Sequence, residues 1–389
     1  MLARNLDLSE FTLDWNQPTD AIAHAIRSCE RNVGTIDWIA GQPFYLHGAH
    51  EEDGLHGEPG RIIARRGDAI CRASANGGVW ISHLRSAVRQ ASGESFKLPA
   101  THVLRRHLPQ LGIREAPLPV DSRTVTRTYR EIRYEERDGV GYLHFEFLNG
   151  AMSSKHCRDL RDAYLLARGR PTRVIVLVGG TQAWCNGIHL NLIEDAADPA
   201  QASWDNINAI NDLAREIIET RSHLVVAALV ANAGAGGAML ALGADRVIAH
   251  EATVVHPYYR SMGGLYGSEY WTYVLPRRVG RSAAARLTTD CKPLNAADGL
   301  AIGFFDRVLG SNGHELLRAV GDYAQALRRR PDFEHLLVRK RLRRAHDQRL
   351  RPLESYRRDE LLQMRENFFG DDRSYHLARR RFVRKLAAA

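Results

Sequence analysis

Paired cysteines are missing from this chain. Five are spread over 389 residues, Cys29, Cys71, Cys157, Cys185 and Cys291, with no CxxC among them. That pattern excludes a disulfide framework and a thiolate metal site, and it suits a reducing compartment with free thiols. The 17 histidines form no HExxH or similar ligand set, so no metal is expected. The N-terminal MLARNLDLSEFTLDW lacks the apolar run of a secretory signal, and a cytoplasmic location is expected. Only one stretch, 224–244, is long and uncharged enough to cross a membrane. Asn232 and a Gly/Ala cluster interrupt it, so it reads as a buried strand, a glycine-rich turn and a buried helix.

What is present is an ordinary globular composition, 44% hydrophobic and 25% charged, enough for two or three domains. The formal charge of +9 falls wholly after residue 310. A solvated helical face with interspersed acids explains that run better than a nucleic-acid surface, because interleaved aromatics and any nucleic-acid motif are lacking. The N-terminal part pairs one amphipathic helix, TDAIAHAIRSCE with Thr19 or Asp20 as its cap, with strands at 35–40, 43–46, 60–65, 69–73 and 77–83 separated by GEPG, RRGD and ANGG. A proline-bearing linker spans 114–129. Beyond it strands (141–147, 173–178, 224–230, 246–250) alternate with helices (154–167, 206–220), which predicts an α/β fold with mostly parallel pairing. The expected organisation is a β-rich domain over 1–113, the linker, a second domain over 130–310 and a basic helical region over 311–389.

Two glycine-rich turns carry the chemistry. One follows RVIVLVGG and reads TQAWCNGIHLNLIE; the other follows LVVAALV and reads ANAGAGGAMLALGADRV. Each ends a strand and opens toward a helix, leaving backbone N–H groups unpaired. Two such turns facing one another form an oxyanion pocket from main chain alone.

The pair, together with LPRRVGRSAAARLTT and ADGLAIGFFDRV, resembles the enoyl-CoA hydratase/isomerase (crotonase) superfamily over roughly 135–310. The resemblance implies a ββα spiral core, a CoA thioester as substrate, oxyanion donors at the backbone of Ile188 and Gly236, and a pocket that includes Gly187, His189, Asn191, Gly237, His256 and Ser268. The two hydratase glutamates would fall on Met239 and Tyr259. Methionine moves no proton, and tyrosine near its usual pKa of about 10 is a poor base. Hydration is therefore not expected. HPYYRSMGGLYGSEYWTY supplies the remaining carboxylate, Glu269, which with Tyr259 forms the expected catalytic pair.

GIHLN, GSEYWTY and the surrounding segments resemble, more narrowly, the hydrogenase-maturation HypX/HoxX family, and residues 11–100 resemble the C-terminal domain of folate-dependent formyltransferases. Members of that family carry a formyltransferase catalytic domain ahead of these two parts, so the chain is expected to be a split or truncated version. Its implied task is decarbonylation of formyl-CoA to carbon monoxide and CoA for [NiFe]-hydrogenases. A separate formyltransferase polypeptide and the hydrogenase-maturation machinery are the implied partners, and a homo-oligomer stays open because crotonase relatives often form trimers. Two alternatives stand beside it: a crotonase-family hydrolase or isomerase on another acyl-CoA, and a non-catalytic scaffold binding CoA, RNA or a hydrogenase precursor.

Overall fold

A computed structural model describes residues 12–30, 34–88, 95–118 and 127–386. The chain forms two compact units, residues 1–130 with 381–389, and residues 131–380. Part of the expected linker, 119–126, lies outside the described residues.

The first unit holds helix α1 (Thr19–Ser28), strands β1 (Thr35–Ile39), β2 (Gln42–Glu52), β3 (Ile62–Arg66), β4 (Ala69–Ser74), β5 (Gly77–Ser86) and β6 (Leu98–Pro99), and a single turn α2 (Ala100–Val103). The strands pair antiparallel in the order β1-β2-β5-β4-β3, with β6 on β5. Ile22 and Ile26, one helical turn apart on α1, join Leu46, Ile81 and Leu84 in its core. The cap differs from the expectation. Pro18 precedes the helix, and Thr19 is its first residue, buried, with its N–H donating to Asn76 Oδ1 at 2.9 Å.

The second unit is built on one sheet of order β17-β14-β12-β10-β8-β7. Its strands are β7 (Ile132–Arg137), β8 (Val140–Phe145), β10 (Val174–Val178), β12 (Leu224–Leu229), β14 (Arg246–Ala249) and β17 (Arg307–Val308). All pairs are parallel except β7–β8. VIVLV and LVVAAL are buried along their whole length, as strands covered on both faces must be. Helix α3 (Ser154–Arg168) starts from a capping box of Ser153 and His156. Helix α5 (Pro199–Glu219) starts earlier than the sequence suggested, because Asp198 caps it and Pro199 suits its first position.

Short strands β9 (Ala151–Met152), β11 (Gly187–Ile188), β13 (Ala233–Gly234), β15 (Val254–His256) and β16 (Leu294–Asn295) form two smaller sheets, β11-β9 and β13-β15-β16. With α4 (Leu190–Asp195) and α6 (Gly236–Leu242) they complete the spiral core. Helices α7 (Trp271–Val279), α8 (Arg281–Asp290), α9 (Ala296–Ala301), α10 (Gly313–Arg328), α11 (Phe333–Leu350), α12 (Leu353–Phe369) and α13 (Ser374–Arg384) follow. Among the described residues no helix is long and apolar enough to cross a membrane.

The charged C-terminal run is not only a solvated face. On α11 the buried positions are Phe333, Leu337, Lys340, Arg344 and Asp347, and on α12 they are Leu353, Glu360, Met364 and Phe368. Lys340 Nζ meets Asp245 Oδ2 at 2.5 Å, and Arg344 donates to the Tyr273 hydroxyl at 2.6 Å. Lys340 is thus buried as one half of an ion pair, the condition on which burial of charge is tolerated, while Nε and Nη2 of Arg344 are buried with no acceptor among the described residues.

Candidate active site

The two glycine-rich turns meet. The N–H of Trp184 donates to the Asn232 carbonyl at 2.7 Å, and that of Gly234 to the Cys185 carbonyl at 2.9 Å. Gly187 has φ +81°, and a Cβ placed on it would stand 3.2 Å from the Gly236 nitrogen. A Cβ on Gly237 would stand 2.1 Å from the Cys185 carbonyl oxygen. Glycine is required at both positions, one by its backbone angle and both by the closeness of the turns. Gly236 opens α6, so its N–H has no acceptor within the helix.

Glu269 faces these turns. A Cβ on Gly236 would lie 2.3 Å from Glu269 Oε1, so the carboxylate rests directly on that glycine. The Tyr259 hydroxyl donates to Glu269 Oε2 at 2.8 Å and lies 3.1 Å from the Ser268 carbonyl. Gly267 lets this happen, since any side chain there would strike the Tyr259 ring. Burial raises the Glu269 carboxyl to about 7, although the Tyr259 hydrogen bond pulls it down. Burial, and the carboxylate beside it, hold the Tyr259 hydroxyl well above its ordinary range. Tyr259 is therefore a neutral donor, and Glu269 a group able to take and return a proton near neutrality.

The backbone that aims Glu269 is constrained. Glu269 and Tyr270 have φ of 58° and 60°, two consecutive left-handed non-glycine residues. Such positions persist only where their surroundings hold them. Two buried side chains do so. Asn211 on α5 accepts from the Glu269 N–H at 2.8 Å and exchanges hydrogen bonds with the Ser268 hydroxyl at 2.8 and 3.0 Å. Glu360 on α12 accepts from the N–H groups of Tyr270 (3.0 Å) and Thr272 (2.9 Å) and from the Thr272 hydroxyl (2.5 Å). It caps the start of α7, the role Glu269 would otherwise be suited to. Burial raises the Glu360 carboxyl to about 8.

A cavity of about 100 Å³ lies against this pair, lined by Ile188, Gly236, Tyr259 and Glu269 with apolar neighbours including Met262, Leu265 and Met364. Four of the sequence-derived site residues thus share one space. The other six sit elsewhere. Gly187 and Gly237 shape the turns from behind. His189 is buried and caps α4, its Nδ1 accepting from the Leu192 N–H at 3.2 Å. Asn191 is on α4, off the cavity wall. His256 meets the Tyr258 hydroxyl at 2.9 Å. Ser268 is buried beneath the site, between Asn211 and Glu360. The expectation that these last four line the pocket is corrected: none is on its wall, and His189, His256 and Ser268 are spent on local backbone or a neighbouring side chain. Met239, where the family resemblance put a hydratase glutamate, is buried in α6 and not on the cavity wall.

Residues 135–386 match the enoyl-CoA hydratase/isomerase family and residues 5–97 the formyl transferase C-terminal domain. The chain belongs to the enoyl-CoA hydratase/isomerase family, with a formyltransferase C-terminal-type domain ahead of it. Within that class its likeness is to one kind of member. It is 42% identical to the hydrogenase maturation factor HoxX of Bradyrhizobium diazoefficiens, over 96% of this chain and 64% of that protein. It is 37% identical to HypX from Aquifex aeolicus, with a TM-score of 0.92 over 99% of this chain and 67% of that one. An enoyl-CoA hydratase from Bacillus halodurans, 16% identical with a TM-score of 0.56 over 64% of this chain and 99% of its own, shares the fold alone. The chain spans just under two thirds of the length of HoxX.

Proposed function

We propose that the second unit binds formyl-CoA with its acyl end in the Tyr259–Glu269 cavity and decarbonylates it, and that the carbon monoxide serves hydrogenase maturation, the role for which HoxX is named. The observation that carries the reading is the placement of a single, raised-pKa carboxylate directly on the Gly236 turn inside a cavity of about 100 Å³. The space is small and largely apolar, with Glu269 the one carboxylate on its wall, which suits a short acyl group.

Formyl-CoA has a C–H bond and no α-carbon, so enolate chemistry is closed to it. The N–H groups of Ile188 and Gly236 would hold its oxygen. Glu269 takes the formyl proton, the C–H electron pair stays on carbon, and the C–S pair leaves with sulfur. Carbon monoxide and CoA thiolate result, and the proton returned from Glu269 gives the thiol. Atoms and electrons balance without an oxidant or reductant. Tyr259 supplies a hydrogen bond to Glu269 in the resting site and would shift it to the leaving sulfur as the C–S bond breaks. Formyl-CoA itself must come from a formyl-transferring enzyme, the expected partner.

The test is a comparison of thioesters. Formyl-CoA should release carbon monoxide and thiol, while crotonyl-CoA is not hydrated and acetyl-CoA is not cleaved. Turnover of the longer thioesters with no carbon monoxide from formyl-CoA would replace this reading with the hydrolase or isomerase one.

A further inference from the structure

The chain that leaves Glu269 runs straight into the wall of a second and larger cavity, of about 650 Å³. Trp271, Thr272 and Tyr273 form one side of it, the length of α8 another, and the corner between α11 and α12 the rest. None of these residues belongs to the Tyr259–Glu269 cavity.

Its lining is cationic and aromatic. Arg260, Arg277, Arg281 and Arg351 face one carboxylate, Asp347. Two of the guanidinium groups are preset. Arg277 is bonded to Asp347 at 2.8 Å with its centre 5.1 Å from the Tyr273 ring, and Arg351 is bonded to Asp359 at 2.6 Å with its centre 4.0 Å from the Tyr356 ring. The side chains of Arg260 and Arg281 make no hydrogen bond or ion pair among the described residues, and both are exposed. On the same wall the indole N–H of Trp271 is buried without an acceptor among the described residues. Stacked guanidinium groups that keep donors to spare suit phosphate oxygens, which they bind bidentately. The aromatic faces and the size of the space add room for a planar base.

We propose that this groove binds a phosphate-bearing small polyanion of nucleotide size. The chemistry has two sources, a free nucleotide or the nucleotide end of the CoA substrate. In either case the ligand would touch Thr272, which Glu360 holds on the same short segment that aims Glu269. The proposal does not depend on which thioester the smaller cavity accepts.

The experiment is calorimetric titration of the full chain with ATP, pyrophosphate, adenosine and CoA at low salt, beside an Arg260→Gln/Arg281→Gln double variant. Both substituted side chains are exposed, and an unchanged melting temperature verifies the fold. ATP and pyrophosphate should bind, adenosine should not, and added salt should weaken binding. The double variant should bind ATP at least tenfold more weakly. Loss of CoA affinity in the same variant, with ATP competing, assigns the groove to the nucleotide end of CoA. Unchanged CoA binding alongside ATP assigns it to a separate nucleotide. Absence of ATP and pyrophosphate binding at millimolar concentration, or equal affinity in the double variant, would overturn the proposal.

Discussion

The hydroxyl of Tyr259 stands 2.8 Å from Oε2 of Glu269, a donor and an acceptor ten residues apart, both buried. The contact joins two proton-bearing side chains of the small cavity's wall, and each alters the other. Glu269 raises the tyrosine, and the tyrosine lowers Glu269 against the larger effect of burial.

Activity should follow the ionisation of Glu269. In the proposed reaction the base is the Glu269 carboxylate, whose pKa is raised to about 7. Turnover is therefore expected to rise with pH through that value and to level above it. The same raised pKa has a consequence for stability of the opposite sign. The folded protein holds this proton more tightly than the unfolded chain does, so the contribution of Glu269 to stability is full below the unfolded carboxyl pKa and is lost as pH rises through about 7. A pH–rate profile, read beside thermal melts over the same range, checks both.

Tyr259→Phe keeps the ring against Gly267 and removes only the hydroxyl. The lost hydrogen bond had favoured the carboxylate, so the midpoint of the pH–rate profile should move upward. The rate should fall on the order of 10²-fold, the low end for loss of a positioned proton donor. An unchanged midpoint would remove Tyr259 from contact with the base.

Gly236→Ala tests the closeness of turn and carboxylate. The added methyl would stand 2.3 Å from Glu269 Oε1. Alanine suits a helix start, so the variant should fold, displace Glu269 and lose activity. Circular dichroism and turnover, measured together, decide it.

Glu360→Ala leaves the N–H groups of Tyr270 and Thr272 and the hydroxyl of Thr272 without their acceptor. An unsatisfied buried donor costs about 1–3 kcal/mol, so a lower melting temperature is expected. Turnover should fall by more than CoA affinity does, because Glu360 touches the backbone behind Glu269 and is on the wall of neither cavity. A fall in CoA affinity without loss of turnover would contradict this role.

The sequence shows some of this site openly. VIVLV and LVVAAL are readable as buried parallel strands because nothing in them tolerates solvent, and the glycine turns declare themselves by composition. Tyr259 and Glu269 stand out because one replaces an expected carboxylate and the other is the acid left nearby. Asn211 and Glu360 were hidden for a physical reason. Polar residues in a helix are ordinarily solvent-facing, and Glu360 lies in a run dense with charge. The signal was its spacing: Tyr356, Glu360, Met364 and Phe368 fall every fourth residue, so the acid occupies the apolar stripe of α12. The same holds for Lys340 and Arg344 between Leu337 and Asp347 on α11. His189, His256 and Ser268 misled in the opposite sense, being polar residues beside the site whose hydrogen bonds are already taken within the fold.

The most direct measurement is carbon monoxide release from formyl-CoA, followed by the haemoglobin spectrum, with free thiol counted in the same reaction, for the parent chain and Glu269→Gln. The account predicts carbon monoxide and thiol in equal amounts from the parent and a loss of both, by at least 10²-fold, in the variant. Thiol without carbon monoxide, or equal rates from the two proteins, would contradict it.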